Sequence, residues 1–95
     1  MTDLTKTNVD LRPRDDLEIE KVEEDFLILD KRNQKIHRLN ATASIIWASL
    51  QEGRRTDVIV KQFVENFDIL SEVAEKDVTR VLEEFRALNL LADQA

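Results

Sequence analysis

The stretch of sequence that decides the fold is residues 36–47, which read IHRLNATASIIW. Before Asn40 the pattern is short and extended, as in the last strand of a small sheet. Beyond Asn40 the apolar residues recur with a period of about 3.6 residues, which indicates an amphipathic helix. Asn40 is a good N-cap residue, because its side chain can accept a hydrogen bond from a free backbone N–H. The apolar residues on the resulting helical face are Ala43, Ile46, Trp47 and Leu50.

Two more strands are predicted upstream of this stretch. Residues 17–20 (LEIE) alternate apolar and charged side chains, and residues 26–29 (FLIL) form an apolar run that is too short for a helix. Residues 31–35 are the predicted hairpin connection, in which Asn33 suits a left-handed backbone position. The three segments therefore predict an antiparallel meander whose third strand, residues 35–39, lies at an edge.

Two further helices are predicted downstream. Gly53, the only glycine, suits the left-handed position that ends the first helix, and Thr56 is the predicted cap of the second. A connection at residues 68–73 leads to a third helix at residues 75–88, and Asn89 suits the left-handed position after it. The helical stripes consist of Val60, Phe63, Val64 and Phe67 in the second helix and Val78, Val81, Leu82, Phe85 and Leu88 in the third. The fold class is α+β, with a three-stranded antiparallel sheet followed by three helices.

The chain has 95 residues, of which 42% are hydrophobic and 36% charged, and this is enough for one modest core. We predict a flexible N-terminal tail at residues 1–16, a domain at residues 17–91 and a C-terminal tail at residues 92–95. The domain should fold as a monomer or weak dimer. Its predicted core includes Leu39, Trp47, Phe63, Val78, Leu82 and Phe85.

Composition also narrows the location and the chemistry. No apolar run approaches the roughly 20 residues that span a bilayer, and the polar N-terminus is unlike a secretory signal. The chain has no cysteine, which excludes disulfides and thiolate ligands and fits a cytoplasmic location. The only histidine, His37, lacks partners at metal-ligand spacing, and a single glycine cannot build a phosphate-binding loop. We therefore expect no enzymatic activity and no cofactor.

The predicted elements are compatible with two binding functions. A sheet with three helices can be a winged-helix DNA-binding regulator, but the predicted third helix carries four acidic and three basic residues, which disfavours contact with phosphates. Alternatively, the free edge of the third strand could pair with an extended peptide. Residues 31–55 hold six Lys and Arg residues and one acid, so an acidic peptide would suit this edge.

The sequence resembles the PqqD-like family, which is named for pyrroloquinoline quinone biosynthesis protein D. The resemblance covers residues 17–91, and its most specific part is a strand-end Leu-Asn followed by a helix that contains Trp47 and a turn at Gly53. The family usually has Gly in the hairpin and near the end of the last helix, where this chain has Asn33 or Gln34 and Asn89. The other residues that carry the resemblance are Thr56, Asp77, Val78, Leu88, Leu90 and Leu91.

The resemblance implies a winged-helix-like recognition element that binds the leader of a ribosomally made precursor peptide. The leader would add as a strand to the third strand and rest against the third helix. Family members present it to a modifying enzyme, such as a radical S-adenosylmethionine enzyme. Nucleic acid and membrane are not expected partners, because the predicted third helix is acidic and no apolar run is long enough to span a bilayer. A protein–protein scaffold of the same fold is the other alternative. The implied peptide-binding residues are Lys35, Ile36, His37, Arg38 and Leu39 on the strand and Asp77, Arg80, Val81, Glu84 and Leu88 on the helix.

Overall fold

A computed structural model describes residues 11–92, and it has the predicted order of three strands followed by three helices. The strands are β1 (Glu18–Val22), β2 (Asp25–Asp30) and β3 (Lys35–Leu39). The helices are α1 (Ala41–Gln51), α2 (Thr56–Phe67) and α3 (Ser71–Ala87). The predicted fold class is therefore confirmed.

The sheet is an antiparallel meander with the strand order β1-β2-β3, so β3 lies at an edge as predicted. The hairpin between β2 and β3 differs from the prediction in one position. Gln34, with φ of 57°, occupies the left-handed conformation that we expected of Asn33. Asn33 instead donates from its backbone N–H and from Nδ2 to the carboxylate of Asp30, at 3.2 and 2.8 Å. These two local hydrogen bonds explain why Asn33 does not adopt the predicted left-handed conformation.

The first helix begins and ends as its sequence predicts. The Asn40 side chain accepts a hydrogen bond of 2.9 Å from the N–H of Ala43. At the other end, Gly53 has φ of 80°, and its N–H donates to the carbonyl of Leu50. For the second helix the capping prediction was wrong, because Arg55 is the N-cap residue and Thr56 is the buried first residue of the helix.

Helix α3 is longer than predicted, since it begins at Ser71 and its first turn contributes the buried Ala74. Its end matches the prediction. Asn89 has φ of 60°, its N–H donates to the carbonyl of Arg86, and the next N–H donates to the carbonyl of Phe85. This pattern of bonds terminates the helix in a Schellman motif. Two residues of the predicted stripes are nevertheless exposed, namely Phe67 at 48% and Leu88 at 43%.

The core lies between the sheet and the helices, and Trp47 of α1 is fully buried at its centre. The rings of Trp47 and Phe85 meet edge to face, with 5.2 Å between their centroids and an interplanar angle of 88°. Aromatic rings prefer this geometry because the positive edge of one faces the negative face of the other. The residues predicted for the core are all buried, namely Leu39, Trp47, Phe63, Val78, Leu82 and Phe85.

The last part of the predicted N-terminal tail lies against the domain. Leu11 is buried, and Pro13 forms an antiparallel bridge with Leu91. The N–H of Arg14 donates to the carbonyl of Leu90 at 3.0 Å, and its buried guanidinium contacts β2. Residues 11–16 are thus part of the folded unit, contrary to the expectation from their lack of periodicity. The rest of the predicted tails, residues 1–10 and 93–95, lies outside the described residues.

Candidate functional site

The candidate site is the open edge of β3, and a buried serine shows which backbone groups this edge presents. The hydroxyl of Ser44 accepts a hydrogen bond of 3.0 Å from the N–H of Phe26 and donates one of 3.0 Å to the carbonyl of Leu39. Phe26 and Leu39 are partners across β2 and β3. The serine hydroxyl therefore bridges two ladder groups that point toward each other.

The direction of every other backbone group in β3 follows from this pair. Residues of an antiparallel ladder alternate between those that bond to the partner strand and those that point away. Since the backbone groups of Leu39 point toward β2, those of His37 and Lys35 do so as well. The N–H and C=O groups of Ile36 and Arg38 consequently point away from β2, into the open edge. These four groups are free to accept an added strand.

Side chains of β3 divide between the two faces of the sheet. Leu39 is buried at 5% exposure, and His37, on the same face, is partly buried. Ile36 lies on the opposite face and is 69% exposed. Arg38, also on this outer face, donates from Nε to the Oδ2 of Asp25 at 2.9 Å. The structure thus exposes Lys35, Ile36 and Arg38 at the edge, whereas the side chain of Leu39 is buried and its backbone groups point toward β2.

The predicted helix residues lie on one flank of α3. Asp77, Val81, Glu84 and Leu88 are spaced by four, three and four residues, so they form a single row along the helix. Leu88 is exposed, but Val81 is only 3% exposed and belongs mainly to the core. Arg80 donates to the Oε1 of Glu84 at 3.3 Å on the surface of the same helix. Helix α1 contacts both β3 and α3.

The two sides of this site carry opposite charge. Strand β3 contributes Lys35 and Arg38, whereas α3 has five acidic and three basic residues, a net charge of −2. Such a helix repels phosphates, so its composition argues against the DNA-binding alternative. An extended ligand at this site would meet cationic side chains at the strand and anionic ones at the helix.

A buried ion pair that the sequence did not predict supports the hairpin before β3. Arg14 Nη1 donates to the Oδ2 of Asp30 at 3.0 Å and to the carbonyl of Asn89 at 2.9 Å, and Nη2 donates to Asp16 at 2.6 Å. Hydrogen bonds from Arg14 and Asn33 hold the pKa of Asp30 well below its ordinary value. Hydrogen bonds to the two carboxylates raise the pKa of Arg14 above its ordinary value. The only sequence signal for this network was a carboxylate at the end of an apolar strand.

Two ring nitrogens of the interior, His37 Nε2 and Trp47 Nε1, have no hydrogen-bond partner among residues 11–92. Within the same residues, no group of three or more His, Cys, Asp or Glu side chains is arranged to hold a metal ion. The described part of the chain also has no helix that is long and apolar enough to cross a membrane.

These features define a class of protein: a small α+β domain whose sheet ends in an open strand beside an amphipathic helix. The family model described as Coenzyme PQQ synthesis protein D (PqqD) matches residues 25–91, and the chain belongs to this family. The resemblance in the sequence is thereby confirmed. None of the curated proteins shows significant sequence similarity to the chain.

Solved structures share the fold. One is TbiB1 in complex with the TbiA(beta) leader peptide, with a TM-score of 0.81, 23% identity, and coverage of 88% of this chain and 98% of that one. Another is lasso peptide synthetase B1 complexed with the leader peptide, with a TM-score of 0.82, 18% identity, and coverage of 90% and 100%. At these identities the similarity demonstrates the common fold.

Proposed function

We propose that this protein binds the leader of a ribosomally made precursor peptide as a fourth strand of its sheet. The observation that carries the proposal is the free edge at Ile36 and Arg38, whose backbone donors and acceptors point away from β2. An extended peptide can satisfy all of these groups at once, which supplies affinity without a preformed pocket. The α3 flank from Asp77 to Leu88 would support the peptide side chains on the helix side.

Two independent findings support this function. The chain belongs to the PqqD family, and the two structures with the same fold were solved with leader peptides bound. Both agree with a peptide-binding site that consists of free backbone groups at a strand edge. The net negative charge of α3 makes the DNA-binding regulator the weaker candidate.

The chemistry itself would belong to a partner enzyme that modifies the bound precursor. The chain has no cysteine, so it cannot supply thiolates to an iron–sulfur cluster of the kind that radical S-adenosylmethionine enzymes use. The protein would instead raise the local concentration of the precursor at the partner enzyme. This role fits the predicted cytoplasmic location, since ribosomal peptides begin in the cytoplasm, and it is open to a monomer or a weak dimer.

A pair of proline variants tests the edge. Arg38→Pro removes an N–H that points out of β3, so the ladder to β2 keeps all its bonds while the added strand loses a donor. Lys21→Pro is the matched control, because Lys21 pairs with Phe26, whose N–H points to the β3 side, and so the N–H of Lys21 points out of the opposite edge. We expect Arg38→Pro to weaken peptide binding at least about tenfold, because a carbonyl of the bound peptide loses its hydrogen-bond donor. Lys21→Pro should leave binding unchanged.

The measurement is a titration of synthetic peptides from the short reading frames that neighbour the gene, followed by amide chemical shifts. Binding should shift residues 35–40 and 77–88 and leave β1 unaffected. If a peptide bound tightly while Ile36 and Arg38 stayed unshifted, strand addition at β3 would be excluded. Equal affinity of the two proline variants would lead to the same conclusion, and circular dichroism of both variants checks that they fold.

A further inference from the structure

The outer face of the sheet, which points away from the helices, presents two rows of side chains that end at the open edge. Glu18 pairs with Leu29 and Leu29 pairs with Ile36, which gives one row across the three strands. The second row consists of Glu20, Leu27 and Arg38. Ile36 is 69% exposed at the end of the first row, and Arg38 is exposed at the end of the second.

An added strand would extend both rows by one residue. Residues that lie directly opposite each other in a sheet project to the same face and contact one another. The two ligand residues opposite Ile36 and Arg38 would therefore point to the outer face and be two positions apart. One would lie against an exposed apolar side chain and the other against a cation.

Arg38 is held in place for such a contact. Its Nε donates to Asp25 at 2.9 Å, and this bond orients the guanidinium across the start of β2. A guanidinium has five N–H donors, so the Nη groups of Arg38 keep donors for a second carboxylate. Asp25 is thus a positioning residue, and Arg38 is the residue that would contact the ligand.

From this arrangement we infer that the outer face selects leaders with an acidic and an apolar side chain two residues apart, beside Arg38 and Ile36. The inference rests on the proposed function and specifies which leaders the same edge prefers. Strand direction decides the order of the pair: an antiparallel leader carries the acid first, and a parallel leader carries the apolar residue first. Each favourable cross-strand pair strengthens binding about 1.4-fold to fivefold.

The test begins with a displayed library of random 12-residue peptides, which is selected on the full chain at low salt. Enriched peptides are resynthesised, and their affinities are measured by titration at about 25 and 500 mM salt. We expect an Asp or Glu two positions from a Leu, Ile or Val in the segment that shifts the Ile36 and Arg38 amides. Replacing that acid with Lys should weaken binding about threefold to tenfold, and less at high salt because surface charges are screened.

Charge-reversed variants separate recognition from a structural effect. Arg38→Glu should prefer the Lys version of each peptide over the acidic one, and this reversal cannot arise from loss of fold. Arg86→Glu is the matched control with the same charge change. Arg86 lies nine residues from Asp77, which places it on the opposite side of α3. Its peptide preference should equal that of the unaltered chain.

The outcomes distinguish this inference from the proposed function. If enriched peptides shift Ile36 and Arg38 but show no acidic–apolar pair, or if Arg38→Glu keeps the original preference, the selection rule is overturned while strand addition stands. If no peptide from the library or the neighbouring reading frames shifts this edge, both fail. Reversal of preference by Arg38→Glu, with Arg86→Glu unaffected, establishes the rule.

Discussion

Removing the ring of Phe85 tests the packing that sets the rotation of α3, and with it the flank that we propose faces a bound peptide. Phe85 is 1% exposed, and its ring meets Trp47 edge to face at 5.2 Å. Truncating a buried phenylalanine costs about 3–5 kcal/mol, of which the aromatic pair accounts for about 0.5–1.5 kcal/mol. At about 0.05–0.15 kcal/mol per residue, the whole folded unit has a free energy of unfolding of roughly 4–12 kcal/mol. Phe85→Ala therefore removes a large fraction of its stability.

Urea denaturation and thermal melts measure this loss, and Phe67→Ala is the matched control. Phe67 also meets an aromatic ring, that of Phe63 at 5.1 Å, but it is 48% exposed. We expect Phe85→Ala to lower the melting temperature by at least about 12 °C, since 1 kcal/mol shifts a domain of this size by about 4–8 °C. Phe67→Ala should lose about 1 kcal/mol. Equal losses in the two variants would refute the burial of Phe85 and the assignment of Asp77 and Glu84 to the peptide-binding flank.

Two further predictions concern the groups that hold the edge in position. Because Arg14 lowers the pKa of Asp30 in the folded state, the pair stabilises the fold above the ordinary carboxyl pKa of about 4 and loses this contribution as the pH falls below it. Arg14→Met should therefore be much less stable than the unaltered chain at pH 7, and the difference should shrink at pH 3, as measured by urea denaturation. Ser44→Ala leaves the N–H of Phe26 and the carbonyl of Leu39 without their shared partner, and it should lower the free energy of unfolding by about 1–3 kcal/mol.

Each of these variants has a control in the same chain. Arg54→Met breaks an ion pair with Glu52 that is exposed to solvent, so it should change stability little. Ser49→Ala removes a hydroxyl that donates to the carbonyl of Ile45 one helical turn earlier, and it should cost less than Ser44→Ala. A pH-independent loss in Arg14→Met, or equal losses in the two serine variants, would contradict the roles assigned to these groups.

Much of the fold was readable because its signals are local. The change of period at Asn40 located the junction of β3 and α1, and the Asn40 cap was found as predicted. Gly53 and Asn89 both have the positive φ that their positions after helices require. At the start of α3 the local signal failed, since Val73 is exposed and the buried Ala74 is too small to reveal the apolar stripe.

The supports of the site could not be read in this way, because they join residues that are distant in sequence. Arg14 and Asp30 are separated by 16 residues, and no periodicity marks a cation that folds back onto a strand. Ser44 lies 18 residues from Phe26, whose N–H donates a hydrogen bond to it, and in the sequence it looks like an ordinary polar residue of a helix. This contact identifies the direction of the β3 backbone groups. Sequence could therefore predict the edge strand, while the structure was needed to identify Ile36 and Arg38 as its free positions.

Main-chain bonds at the β3 edge cannot distinguish one peptide from another, because every extended peptide offers the same donors and acceptors. Selectivity must therefore come from the side chains that an added strand places on its two faces. On the helix side those side chains would meet the acidic row of Asp77 and Glu84, and on the outer face they would meet Ile36 and Arg38. A leader with cationic or apolar residues toward α3 and an acid beside Arg38 would fit both faces in one register. A shift by one residue would exchange the two sets and place like charges together. If a leader adds at this edge, the side chains on its two faces would therefore limit its register as well as its composition.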